Sequence, residues 1–142
     1  MRKILAAVVV LACAPILAGC DSATIAADEA KIGQVVAAIK KGAAVTTDAI
    51  LNSINTACAH LGDINMDKAA VVAVISASAK TPGPKTAANL ARVDQAVGAA
   101  QGICSQSAGG TGNTVANLII LWSYYTTASN AVAAAKQSGG TT

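Results

Sequence analysis

Phenylalanine is absent from these 142 residues, and one tryptophan and two tyrosines are the whole aromatic complement. A core filled by aromatic bulk is therefore excluded. Charge is scarce as well, at 12% of residues, and there is a single histidine. Any Ser-His-Asp or Cys-His arrangement would depend wholly on His60, with Asp63 read as a turn residue, and the acidic residues form no paired-carboxylate motif. The chain reads as non-catalytic, with no cofactor. What is plentiful is alanine, valine and isoleucine, within a hydrophobic fraction of 54%. Alanine is the best helix former, and small side chains let helices approach closely. Disorder goes with low hydrophobicity and high charge, the reverse of this composition.

The apolar residues are concentrated first at the amino end. Met1-Arg2-Lys3 is followed by an unbroken apolar run over residues 4–14, then Pro15, Ile16 and Leu17-Ala18-Gly19-Cys20. A basic start, an apolar run and a small-residue boundary is the layout of a secretory signal. A transmembrane helix needs about 20 apolar residues, more than this run supplies before Asp21. Ordinary cleavage after Ala12-Cys13-Ala14 would leave Pro15 just past the cut, a poor fit. Leu17-Ala18-Gly19-Cys20 resembles the lipobox of bacterial lipoproteins: a branched apolar residue, two small residues, then the thiol that receives lipid.

That resemblance implies diacylglycerol on Cys20, removal of residues 1–19 and often a further acyl chain (palmitate or similar) on the new amino group. Several buried acyl chains make such an anchor effectively permanent, at about 0.8 kcal/mol per CH₂. It further implies that Asp21 acts as a sorting signal retaining the protein in the inner membrane, facing the periplasm, with the outer membrane as the alternative. Asp21 also fits as the first polar residue of a tether over residues 20–23. Loss of Arg2 and Lys3 leaves 8 cations against 7 carboxylates, so the net charge of +3 falls to +1. On that total, no nucleic-acid or anionic-surface reading survives.

The remaining residues, about 120, make one domain, expected over 24–137 with a frayed tail at 138–142. The expected architecture is all-α: an antiparallel bundle of four to five helices. Ile25, Ile32 and Ile39, with Val35 and Val36, mark an amphipathic helix over 24–41, closed by Lys40-Lys41-Gly42. Ile50, Ile54, Cys58 and Leu61 predict a second helix from 47 or 48 to 60 or 61, with Gly62 as its stop. Asn65-Met66-Asp67-Lys68 then reads as a fresh cap. The β-branched run Val71, Val72, Val74 and Ile75 suits a strand, but flanking alanines and the lack of a partner strand favour a short helix. Thr81-Pro82-Gly83-Pro84 is the strongest break.

Leu90, Val93, Val97, Ala100 and Cys104, spaced 3, 4, 3 and 4, form an a/d seam in a helix from 85 or 86 to 103, with Ala96 beside it. Residues 105–113 read as a glycine-rich loop that lacks the lysine of a phosphate loop. In a last helix, over 114–136, Val115, Leu118, Ile119, Trp122, Tyr125, Ser129 and Val132 share one face, which Ile120, Leu121 and Tyr124 widen beyond half the circumference. Three readings follow: a heavily covered helix; a docking face in which Ile120, Leu121, Trp122 and Tyr124 meet a partner or the bilayer; or a second membrane span. Asn117, Ser123, Thr126, Thr127, Ser129 and Asn130 are poor company for lipid.

Cys58 and Cys104 are the only thiols besides the anchor in the mature chain. In an oxidising compartment such a pair is normally a disulfide, and each falls on the apolar face of its helix, near the C-terminal end. Closing a loop of about 47 residues contributes on the order of 4 kcal/mol in the chain-entropy model. A metal site from Cys58, His60 and Cys104 is disfavoured, because residues two apart on a helix diverge. His60 reads instead as a surface residue near a helix C-terminus. The function expected is a structural or partner-binding role in the envelope. Its partners are the membrane, through the lipid, and an unidentified envelope protein, with oligomeric state open. A phage- or plasmid-encoded lipoprotein of lysis or entry exclusion is the alternative, and a two-point membrane protein with 114–136 inserted is a third reading.

Overall fold

The computed structural model describes residues 22–78, 80–108 and 113–139. They form four helices: α1 (Ser22–Lys40), α2 (Thr47–Ala77), α3 (Pro84–Ala108) and α4 (Thr114–Gly139). The all-α bundle expected from the sequence is what the chain adopts. Three of the boundaries have plain chemical causes. Gly42, at φ +74°, ends α1, its N–H reaching the Ile39 carbonyl at 2.9 Å while Ala43 N–H reaches Ala38 at 3.0 Å. This paired closure requires the left-handed conformation that glycine adopts freely. Thr46 caps α2, its hydroxyl accepting from Ala49 N–H at 3.3 Å. Asn113 caps α4, its side-chain oxygen accepting from Val115 and Ala116 N–H at 3.1 and 3.3 Å.

The two helices expected on either side of Gly62 are one, 31 residues long. Gly62 is exposed, and a glycine inside a helix costs only about 1 kcal/mol. On the opposite side Leu61 and Ile64 are both buried in the core, so packing holds the turn helical. His60 and Asp63 bridge the same turn. The valine run continues this helix, with Val71 and Ile75 inward and Val72 and Val74 outward.

The directions of the helices follow from which residues meet. Asp28 meets His60, and Glu29 meets Tyr125. Cys58 joins Cys104, Lys68 pairs with Asp94, and Thr86 bonds Ser138. With Gly33 set against Trp122 and Asn117 bonded to Ser107, these pairs make α1 and α3 antiparallel to both α2 and α4. The α3–α4 interface is the most extensive, and α1 touches α2 and α4 without reaching α3. Alanines explain how close α3 and α4 come: Ala96 and Ala100 on one side, Ala128, Ala131 and Ala135 on the other, are all buried. The α3 seam is as expected, with Val93, Val97 and Ala100 buried and Leu90 and Cys104 packed at its ends.

The main core gathers Ile32 and Val36 of α1, Ile54, Leu61 and Ile64 of α2, Val93 and Val97 of α3, and Leu118, Leu121 and Tyr125 of α4. A second, smaller cluster of Val71, Ile75 and Ala135, with Leu90 against it, lies toward the far end of α2. The two clusters mark two sections of the bundle. Ser22 is six residues, about 9 Å, beyond Asp28 along α1, and antiparallel packing sets it beside the Met66–Asp67 turn of α2. Four helices therefore pack up to that level. Beyond it α2, α3 and α4 continue as three. α4 extends to Gly139, past the boundary expected at 137, and Ser138 is tied to buried Thr86 at 2.8 Å.

Candidate functional site

The densest polar cluster sits where α1, α2 and α4 meet, and it is built around His60. Its Nδ1 lies 2.9 Å from an Asp63 carboxylate oxygen and its Nε2 lies 3.2 Å from one of Asp28. The side chain is only 15% exposed. This corrects the expectation of a surface histidine near a helix end and of Asp63 as a turn residue: both lie inside the long helix α2, and His60 faces α1. A neutral imidazole carries one N–H and cannot donate to two carboxylates at once. The geometry is that of an imidazolium. Burial pulls the His60 pKa down, but the hydrogen bonds and attraction from Asp63 and Asp28 outweigh it, and the net direction is upward.

At the next position of α1 after Asp28, a Glu29 carboxylate oxygen accepts from the Tyr125 hydroxyl at 2.8 Å. The Tyr125 ring is buried and stacks on Trp122 with centroids 5.5 Å apart. Burial, then the hydrogen bond and charge of Glu29, push the phenol well above its usual range, so it stays a donor. Lys31 flanks Asp28 at 3.6 Å. The cluster thus fastens α1 to α2 through His60 and to α4 through Tyr125. Among the described residues no group of three or more His, Cys, Asp or Glu side chains is arranged to hold a metal ion.

Cys58 and Cys104 are joined by a disulfide, with Cα atoms 5.9 Å apart. Cys104 is near the end of α3, but Cys58 lies in the first half of α2, not near its C-terminus. The expected docking face on α4 is dismantled in part. Leu121 is fully buried and belongs to the core. Trp122 is half-buried, and its ring edge would lie 3.5 Å from a Cβ placed on Gly33 of α1. Only Ile120 and Tyr124, at 43% and 37% exposure, face outward. Among the described residues no helix, α4 included, is long and apolar enough to cross a membrane. Cys20, Asp21 and residues 1–19 lie outside the described residues.

Compared with protein-family models, curated proteins and solved structures, the chain matches none. The functional reading therefore rests on its own residues. Sequence reasoning missed Asp28, Glu29, Asp63 and Tyr125 as partners in one cluster. The three-residue spacing of His60 and Asp63 was a usable signal once the two were read on one helix. Nothing local foretold Asp28, which comes from 32 residues earlier.

Proposed function

We propose that this is a lipid-anchored envelope protein, held to the membrane through Cys20, with a structural or partner-binding role and no catalytic one. The observation that carries the reading is the sequence Leu17-Ala18-Gly19-Cys20 following a basic start and an apolar run. Two features of the fold support it. The Cys58–Cys104 disulfide suits an oxidising compartment. Ser22, two positions after Cys20, already lies in α1, which leaves no long spacer between lipid and domain. His60 supports the non-catalytic part, since both its ring nitrogens are engaged by carboxylates within the bundle.

Labelled palmitate and fractionation test the anchor. The wild-type chain is expected to incorporate label and stay with membranes. Cys20→Ala is expected to lose the label and to retain residues 1–19, whose apolar run keeps the unprocessed chain at the membrane. Label on the variant, or removal of residues 1–19 from it as in the wild type, would overturn the reading. Asp21 is proposed as the inner-membrane retention signal. Asp21→Ser is expected to shift the protein to the outer-membrane fraction on a density gradient, and an unchanged distribution would assign Asp21 to the tether alone.

A further inference from the structure

The total charge of the mature chain hides a separation along the bundle. The four-helix section carries Lys31, Lys40, Lys41 and the His60 imidazolium against Asp28, Glu29, Asp48 and Asp63, a net of zero. The three-helix end carries Lys68, Lys80, Lys85, Arg92 and Lys136 against only Asp67 and Asp94, a net of +3. Both of those carboxylates are already paired, Asp94 with Lys68 and Asp67 with Lys136. Lys80 and Lys85 are exposed at the α2–α3 tip, and Arg92 is exposed about two turns into α3.

Chain length fixes where a lipid on Cys20 would hold this object. Two residues span at most about 7 Å, so the bilayer surface must pass close to Ser22. Ser22 is not at an end of the molecule: about 15 Å of α2 continues past it. A bundle standing upright on the start of α1 would drive that end, with its lysines, Arg92 and aspartates, into hydrocarbon, where charge is strongly disfavoured. The domain has to lie over. It can rest along the outer side of α1, in the section of net zero, or tip onto the three-helix end of net +3. Anionic phospholipid headgroups attract the second and gain nothing from the first. Val74, 63% exposed, lies about four turns beyond His60 on the same side of α2, past the start of α1 and between Ser22 and the basic tip.

We infer that the three-helix end, from the start of α1 across Val74 to Lys80, Lys85 and Arg92, is a contact surface for anionic phospholipid headgroups, on which the anchored domain reclines. This rests on the lipid-anchor reading and adds to it an orientation and a lipid class.

The test uses the native lipidated chain, added from detergent to preformed vesicles and separated by flotation. The vesicles are phosphatidylethanolamine with phosphatidylglycerol, or phosphatidylcholine alone. A short pulse of a water-soluble amine-acylating reagent, followed by peptide mass spectrometry, reads each lysine. On the anionic vesicles Lys80 and Lys85 are expected to react at least about threefold more slowly than on phosphatidylcholine, with Lys40 and Lys41 unchanged. High salt is expected to abolish the difference without releasing the protein. Lys85→Glu combined with Arg92→Glu is expected to restore the Lys80 rate while flotation persists. Protein that floats with Lys80 and Lys85 fully reactive, or with Lys31, Lys40 and Lys41 slowed instead, overturns the surface and leaves the anchor standing. Protein that floats with neither vesicle overturns both.

Discussion

His60 is held between two carboxylates from two helices, and that arrangement has a direction in pH. Its pKa in the folded chain is raised above 6.5, and the groups around it come from every helix packed there: Asp28 and Glu29 from α1, Asp63 from α2 and Tyr125 from α4. A group whose folded pKa is raised contributes stability that is complete below its unfolded value and is lost as pH climbs through the folded one. When the proton leaves, one ring nitrogen turns from donor to acceptor and faces a carboxylate across a short gap. Tyr125, pushed upward, stays protonated through that range and adds no slope of its own. The thermal midpoint is therefore expected to fall between about pH 6 and about pH 9 in the wild type, and to be much flatter in His60→Gln. Equal slopes in the two proteins would remove His60 as the cause.

At the scale of the helix, Gly62 and Gly42 make a controlled comparison. Gly62 lies inside α2, and a Cβ there would meet nothing within 4 Å; Gly62→Ala is expected to stabilise the domain by roughly 0.5–1 kcal/mol. Gly42 has equal room but φ +74°, so Gly42→Ala is expected to destabilise by about 1 kcal/mol, through backbone strain alone. Chemical denaturation of the two variants checks both signs. The same glycine shows where the sequence is readable and where it is not. The 3-4-3-4 spacing from Leu90 to Cys104 marks the α3 seam because valine and leucine alternate there with polar residues. Gly62, Asp63 and Asn65 carry local signals of a helix end, and those are outweighed by Leu61 and Ile64, whose burial comes from other helices. On α4 the apolar residues cover more than half the surface, so pattern alone could not choose the inward face. The choice is made by Ala128, Ala131 and Ala135, small enough for α3 to come close, which is why Leu121 turned inward and Ile120 and Tyr124 out. The polar cluster was illegible for a related reason, since its members converge only through the antiparallel packing of α1.

For the whole molecule, the arrangement of links predicts unequal stability. The disulfide joins α2 to α3 across a sequence separation of 46, while α1 lies outside that loop and packs only on α2 and α4. Two of the fastenings of α1 are the polar contacts of Asp28 and Glu29. Opening of α1 alone leaves residues 58–104 folded, so the disulfide constrains neither side of that equilibrium. Global unfolding does release the loop, and there the crosslink contributes on the order of 4 kcal/mol in the chain-entropy model. Native-state hydrogen exchange is accordingly expected to give α1 amides a lower opening free energy than those of α2, α3 and α4. Replacing Cys58 and Cys104 together by serine is expected to lower the value for α2, α3 and α4 by about 2–5 kcal/mol, with the α1 value held until the two meet. If α1 instead falls in parallel with the rest, the four helices open as one unit, and the polar cluster fastens α1 as firmly as the core fastens the others.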